Sequence, residues 1–290
     1  MSARTTCWGI HREVAHSPGR VDDDAAIMKR VAEVLTARNF AVELLPADAV
    51  GAALEAPGAN IFAMCEGREN LRRLEIATSA GAIVVNSPNA IANTYRHRMV
   101  ELFAQHGVPA PRSQVVSTDL STPPPAARVW VKRYDFHATQ AEDVIYAASE
   151  EGWREALGRF AGRGIPFVIV QDHVPGDLVK FYGVTGGAVG VAGVDWFEWF
   201  YHRDKGMIGY PFDAARLRDV ARGAAAALCV EIFGGDAIIR PDGEPVIVDL
   251  NAWPSYALFR EQAAHAIADH LADRFRRRVR AVPATELIHG

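Results

Sequence analysis

Apolar positions along the first third of the chain switch repeatedly between strand-like runs and helical spacing. Thr5 to Ile10 is a short apolar run of strand length. Ala25 to Arg38 then sets Ile27, Val31, Val34 and Leu35 at helical intervals, behind Asp22-Asp23-Asp24, whose negative charge favours a helix start. Phe40 to Leu45 and Asn60 to Met64 read as strands, Leu71 to Ser79 as a helix, and Ala82 to Val85 as a short buried strand. Asn89 to Gln105 reads as one helix ended by Gly107. Strands separated by helices of this length predict a parallel sheet with βαβ crossovers.

Val108-Pro109-Ala110-Pro111 interrupts that pattern, because proline disfavours helical backbone in the residue before it. Ser121 to Pro125 is a second proline-rich break. Beyond it, Arg128 to Lys132, Val144 to Ala147, Phe167 to Gln171, Leu178 to Val184 and Ala188 to Val194 read as strands, with a helix over Glu150 to Phe160. Asp213 to Leu228 is an Ala-rich helix, and Ala257 to Arg278 closes the chain as another. Val230 to Ile239 and Pro245 to Leu250 flank Arg240-Pro241-Asp242-Gly243-Glu244, a hairpin turn in which Gly supplies positive φ. The second part is therefore α+β with mainly antiparallel strands, and no fixed-period repeat runs through the chain.

Composition narrows the class. The 290 residues are 49% hydrophobic and 23% charged, which excludes a disordered or fibrous chain and suits about two domains. A net charge of −4 gives no global basic footprint for nucleic acid. Cys7, Cys65 and Cys229 are far apart and odd in number, so they form neither a metal pattern nor a disulfide framework and point to a reducing cytoplasm. The start of the chain carries no signal-peptide pattern, and its apolar runs fall short of the roughly 18 residues that span a bilayer. The expectation is a cytoplasmic protein without a membrane or nucleic-acid partner.

The final hairpin carries the sharpest chemistry. Asp236 lies in one strand and Asp249 in its partner, with Asn251 two residues further on. Alternate strand residues share a face about 6.6 Å apart, so Asp249 and Asn251 project together with Asp236 opposite. Two carboxylates and an amide oxygen are hard ligands that suit Mg²⁺; the alternative is strand-end carboxylates that cap loops or pair with arginine. Lys132 ends an apolar strand and can reach a phosphate as a point charge, or be a plain surface lysine. Phe167 to Val174 runs into a polar turn whose exposed backbone groups suit a purine edge, and Asp177 could accept from ribose hydroxyls; an ordinary strand, turn and cap fit as well. His137, with Arg133 and Tyr134, lies in a polar loop and reads as a phosphate cover or an exposed loop. His11, Arg12, His16 and Arg20, and then Arg68, Arg72 and Arg73, follow strands of the first part, where open α/β sheets bind ligands, or they form a solvated face with Asp partners. Trp196, Phe197, Trp199, Phe200, Tyr201 and Tyr210 cluster near Arg203 and Lys205, as packing, an interface between copies, or a lid. A homodimer is left open.

Taken in order, these pieces resemble the ATP-grasp superfamily from about Asn86 to Tyr256. Asn86-Ser87-Pro88-Asn89-Ala90-Ile91, a helix and Gly107-Val108-Pro109-Ala110-Pro111 look like its entry segment. Val131-Lys132 looks like its phosphate-binding lysine, Gln171-Asp172-His173-Val174 like its adenine hinge, and Gly176-Asp177-Leu178-Val179-Lys180 like the segment carrying a ribose acid and then a basic residue. Gly235-Asp236 and Val248 to Tyr256 look like its metal-binding end. The resemblance implies three parts: a Rossmann-like α/β N-terminal domain (1–111), a small central α+β subdomain (112–176) and a C-terminal α+β subdomain (177–290). It implies ATP and Mg²⁺, with Mn²⁺ as the alternative ion. Nucleotide would meet Arg96, Lys132, His137, Gln171, Asp172, Val174 and Asp177. The metal would meet Asp236, Asp249 and Asn251. Lys180 and Arg203 would act on the transferring group, and Arg20 and Ser255 on substrate. The chain departs from the family at several points: Arg96, His97 and Arg98 stand where the entry helix carries a lysine. Arg133 to Thr139 replaces a Gly-rich loop, which makes His137 a replacement donor. Asp249 stands where many ligases carry Glu, and the run Asp249 to Tyr256 is similar to the inositol-trisphosphate kinase branch.

The leading expectation is an ATP- and Mg²⁺-dependent carboxylate–amine ligase that forms an acyl phosphate on a small-molecule or peptide substrate. The alternatives are a small-molecule kinase acting on a hydroxyl of a polyol or sugar-like substrate, and a non-catalytic nucleotide-binding module.

Overall fold

The computed structural model describes residues 4–51, 58–119, 121, 123–124, 128–136, 140–185, 195–202 and 206–281. The first part contains β1 (Thr5–Ile10), α1 (Val21–Ala37), β2 (Phe40–Leu45), β3 (Asn60–Ala63), α2 (Arg68–Ser79) and β4 (Ile83–Val85). Its sheet is parallel throughout, in the order β2-β1-β3-β4. Asp22, Asp23 and Asp24 fall in the first turn of α1, where they complement the helix dipole. The helix expected over Asn89 to Gln105 is two helices, α3 (Pro88–Asn93) and α4 (Arg96–Gln105). Tyr95 between them takes an extended backbone (ψ 133°), and its hydroxyl donates to the Glu66 carbonyl at 2.5 Å. That anchor overrides the local helical pattern.

The central sheet is antiparallel, in the order β5-β8-β6-β7, from β5 (Ser113–Ser117), β6 (Val129–Arg133), β7 (Val144–Ala147) and β8 (Phe167–Asp172). Helix α5 (Glu150–Gly162) covers it. Trp153, Ala156, Leu157 and Phe160, one stripe at helical spacing, meet Val129, Val131, Val168 and Val170. Strand β5 was not expected from the sequence. It is a mostly polar edge strand that pairs with β8 alone.

The last sheet is antiparallel in the order β10-β9-β11-β12, from β9 (Asp177–Thr185), β10 (Asp195–Tyr201), β11 (Ile232–Ile239) and β12 (Pro245–Ala252), with α6 (Ala214–Ala227) and α7 (Arg260–Ala281). The strand expected over Ala188 to Val194 lies outside the described residues. Strand β10 carries most of the aromatic cluster, and four of its rings are packing. Phe197, Trp199 and Tyr201 lie against one core and Trp196 against another, as strand alternation requires.

Those two cores join the first part to the last. One brings Ile10, Ile61 and Leu74 together with Phe181, Leu217 and Leu250. The other packs Ile27 and Val31 of α1 against Ile267, Leu271 and Phe275 of α7. The fully buried Asn86 links the two parts: it donates to Ile232 O (2.8 Å) and accepts from the amides of Glu231 (2.8 Å) and Ile232 (2.9 Å). The core of the central sheet contains central residues only.

Candidate active site

Three adjacent strands place three charged residues in a row. Asp249 of β12 is the register partner of Asp236 of β11, which is also the partner of Lys180 of β9. Neighbouring strands lie about 4.8 Å apart, so the side chains meet. Lys180 Nζ lies 2.6 Å from Asp236 Oδ1. Burial opposes the lysine charge, but the Asp236 carboxylate outweighs it and the lysine pKa is raised. A cation is thus already matched to this carboxylate. Gly235 permits the close approach of β11 and β12: a Cβ there would fall 2.3 Å from Asp249 O. Asn251 shares the Asp249 face and pairs with Gly234, and its buried Oδ1 has no hydrogen-bond donor among the described residues. Among those residues no cluster of three or more His, Cys, Asp or Glu forms a metal-binding group, so the donor set is two carboxylates and one amide oxygen. An orphaned amide oxygen beside two facing carboxylates fits a hard divalent ion.

Lys132 and Arg96 approach the row from the central side. Lys132, the fourth residue of β6, is 9% exposed, and its Nζ donates to Val248 O at 3.1 Å. Burial pushes its pKa down to about 8, against the pull of Asp249. Arg96 opens α4 and is 2% exposed. Its Nη1 donates to Arg133 O at 3.3 Å, while Nε has no acceptor among the described residues. Burial lowers its pKa too, opposed first by Asp249. Asp249 is the carboxylate that acts most strongly on both buried cations, and a phosphate would replace the hydration that each has lost. The loop after β6 is fixed to the first part: Tyr134 stacks on His97 at 4.5 Å, and Phe136 packs against Tyr95 and His16 at 4.9 and 5.1 Å. Arg133 is held by Asp135 at 2.5 Å. His137 lies outside the described residues.

At the hinge, Gln171 is buried with Nε2 donating to Ser113 Oγ at 3.3 Å. It borders a cavity of about 190 Å³ that also touches Met99, Phe103, Pro111 and Ile247. The Asp172 and His173 amides donate to Arg112 O (2.9 Å) and Arg128 O (3.0 Å). They serve the chain's own backbone, and the Asp172 side chain is exposed. The Val174 amide meets no acceptor among the described residues.

The expectation for Asp177 is corrected. Its carboxylate is 1% exposed and accepts the amides of Ile208 (2.7 Å), Gly209 (2.7 Å) and Tyr210 (2.9 Å). Burial raises its pKa, but these three bonds outweigh burial and hold it below the usual carboxylate range. Asp177 anchors the segment before α6, and its carboxylate serves the chain's own backbone.

A cavity of about 540 Å³ opens beside the row. Lys180, Asp236, Asn251 and Ser255 border it from the last part, and Arg20 from the first. Tyr182, Phe200 and His202 border it too, and sequence reasoning did not single them out for a site. Tyr182 shares the Lys180 face of β9, a signal that strand alternation offered. Arg203 lies outside the described residues. Arg12, of the N-terminal basic cluster, is committed to structure. It donates to Asp24 (3.0 Å), Glu66 (2.9 Å) and the Trp253 carbonyl (2.6 Å). His16 Nδ1 lies 3.0 Å from Glu66, and that hydrogen bond raises its pKa.

No family model matches the chain, and no curated protein matches it. Solved structures match along nearly its whole length. A D-alanine–D-alanine ligase from Coxiella burnetii superposes with a TM-score of 0.69 at 10% identity, over 96% of this chain and 98% of that one. The D-cycloserine synthetase DcsG gives 0.66 at 18%, over 93% and 99%. A RimK domain ATP-grasp protein from Sphaerobacter thermophilus gives 0.64 at 18%, over 91% and 99%. The chain has the ATP-grasp fold.

Proposed function

We propose that this chain is an ATP- and Mg²⁺-dependent carboxylate–amine ligase acting on a small-molecule or peptide substrate. One observation carries the reading. The row of Lys180, Asp236 and Asp249 has buried cations on its central side and an open cavity on the other. A triphosphate and an acceptor would therefore meet at the row. Solved neighbours named as a ligase and a synthetase support the class of reaction.

The protein's contribution is positioning and charge neutralisation. Asp236, Asp249 and Asn251 would hold Mg²⁺, which neutralises phosphate charge when bound. Lys132 and Arg96 hold phosphate oxygens, and the Val174 amide holds the purine edge. Lys180 and Arg20 orient the substrate carboxylate. A carboxylate oxygen attacks the γ-phosphorus, the bond to the bridging oxygen breaks, and ADP leaves. An amine nitrogen then attacks the acyl carbon, phosphate departs, and the nitrogen loses a proton. Ser255 borders the cavity at 9% exposure and would hydrogen-bond substrate. Arg203 and His137 are proposed as further phosphate donors from their sequence positions alone.

A kinase would use the same row on a hydroxyl acceptor, and the Asp249 to Tyr256 run favours it as the second reading. No helix among the described residues is long and apolar enough to cross a membrane, and the three cysteines are free, which supports a cytoplasmic setting. The metal assignment is tested with Asp249→Asn. Turnover should fall by about a thousandfold or more, with the thermal transition kept within a few degrees of wild type. Wild-type turnover in that variant would remove Asp249 from the site.

A further inference from the structure

The cavity beside the row has two unlike walls. Arg20 stands at the start of α1, and its nearest acid is Asp23, with Nη1 3.7 Å from Oδ2. Arg20, Lys180 and Tyr182 border the same cavity. Burial raises the Tyr182 pKa, and the two cations oppose that rise. Arg12, the remaining arginine of the cavity, is neutralised by Asp24 and Glu66 and adds no free charge. The other wall is apolar. Phe200 packs on Tyr182 and Phe259 at 5.6 and 6.0 Å, which fixes its ring. Leu258 borders the same space and is 55% exposed. A leucine left open beside fixed aromatic rings is surface that an apolar ligand group would cover.

Resting on the ligase reading, we propose that the cavity takes a monocarboxylic acid with an aromatic or branched apolar group, such as an apolar amino acid. The carboxylate is met by Arg20, with Lys180 bordering the same cavity while paired to Asp236, and the apolar group lies on Phe200, Tyr182 and Leu258. A dicarboxylate or a polyphosphate would bring charge onto the apolar wall, where Phe200 and Leu258 offer it no partner.

Calorimetric titration of the full chain with Mg²⁺ and a non-hydrolysable ATP analogue tests this without turnover. The probes are phenylalanine and leucine in both hands, glutamate, and inositol hexakisphosphate. Phenylalanine or leucine should bind at least about tenfold more tightly than glutamate or inositol hexakisphosphate. Arg20→Gln should weaken that binding by about tenfold or more, with part restored in Arg20→Lys. Phe200→Ala should weaken phenylalanine while leaving the thermal transition in place. Tighter binding of glutamate or inositol hexakisphosphate, or no binding of either apolar acid, overturns the proposal. Failure of the ligase reading looks different: an apolar acid would bind but yield no hydroxamate with ATP and hydroxylamine. Preferential formation of glutamyl hydroxamate would keep the ligase and discard the substrate class.

Discussion

Lys132 shows how burial tunes a single side chain for an anionic ligand. The ammonium is held near the Val248 carbonyl, with its pKa pushed down to about 8 by burial. A triphosphate bound nearby stabilises the charged form, so binding is coupled to proton uptake. ATP affinity should therefore fall as pH rises through about 8, because binding must then reprotonate the lysine. The measurement is the Kd for ATP at pH 7 and at pH 9.5. In Lys132→Met affinity should be lower at both and nearly independent of pH. At this scale the sequence was partly legible. Asp236, Asp249 and Asn251 could be placed because strand alternation fixes which side chains share a face. Asp177 could not, because its three partners lie about thirty residues further on, and no local pattern says which way its carboxylate turns.

Among the elements, the hydrophobic pattern located most helices and strands but failed where tertiary contacts decided the outcome. Helix α4 begins afresh at Arg96 because Tyr95 is tied to Glu66, and this break puts the Arg96 guanidinium into the cleft. Strand β5 is polar and bounded by prolines, so only its pairing with β8 reveals it. Strand β10 is aromatic at every position but the acidic Asp195 and Glu198, a pattern that reads as a cluster before it reads as a strand. Asn86 adds a polar link to the packing that joins β4 and β11. Asn86→Ala would leave two amides unsatisfied in the interior, while Ile232 O keeps the Trp253 amide, at a cost of about 2 kcal/mol or more. A urea midpoint lowered in proportion would bear this out. An unchanged midpoint would mean that water replaces the amide.

For the molecule as a whole, the first and last sheets share two cores while the central sheet keeps its own. Such sharing was not legible in the sequence, because Arg12 and Trp253, or α1 and α7, meet across more than two hundred residues. Trp153→Ala removes the largest side chain of the central core and should cost about 3–5 kcal/mol there. Amide exchange should quicken in α5, β6 and β8 while β1, β9 and β11 keep their protection. Loss of protection in all of them together would show one cooperative unit. The central claim is that this cleft and row activate a carboxylate with ATP. Its most direct test is phosphorus NMR of the protein with ATP, Mg²⁺, hydroxylamine and a pool of apolar and polar carboxylic acids. The account predicts ADP, inorganic phosphate and a hydroxamate, all dependent on an added acid. A new phosphate-ester resonance when a polyol pool replaces the acids, with no hydroxamate in either pool, would contradict it and make the protein a kinase.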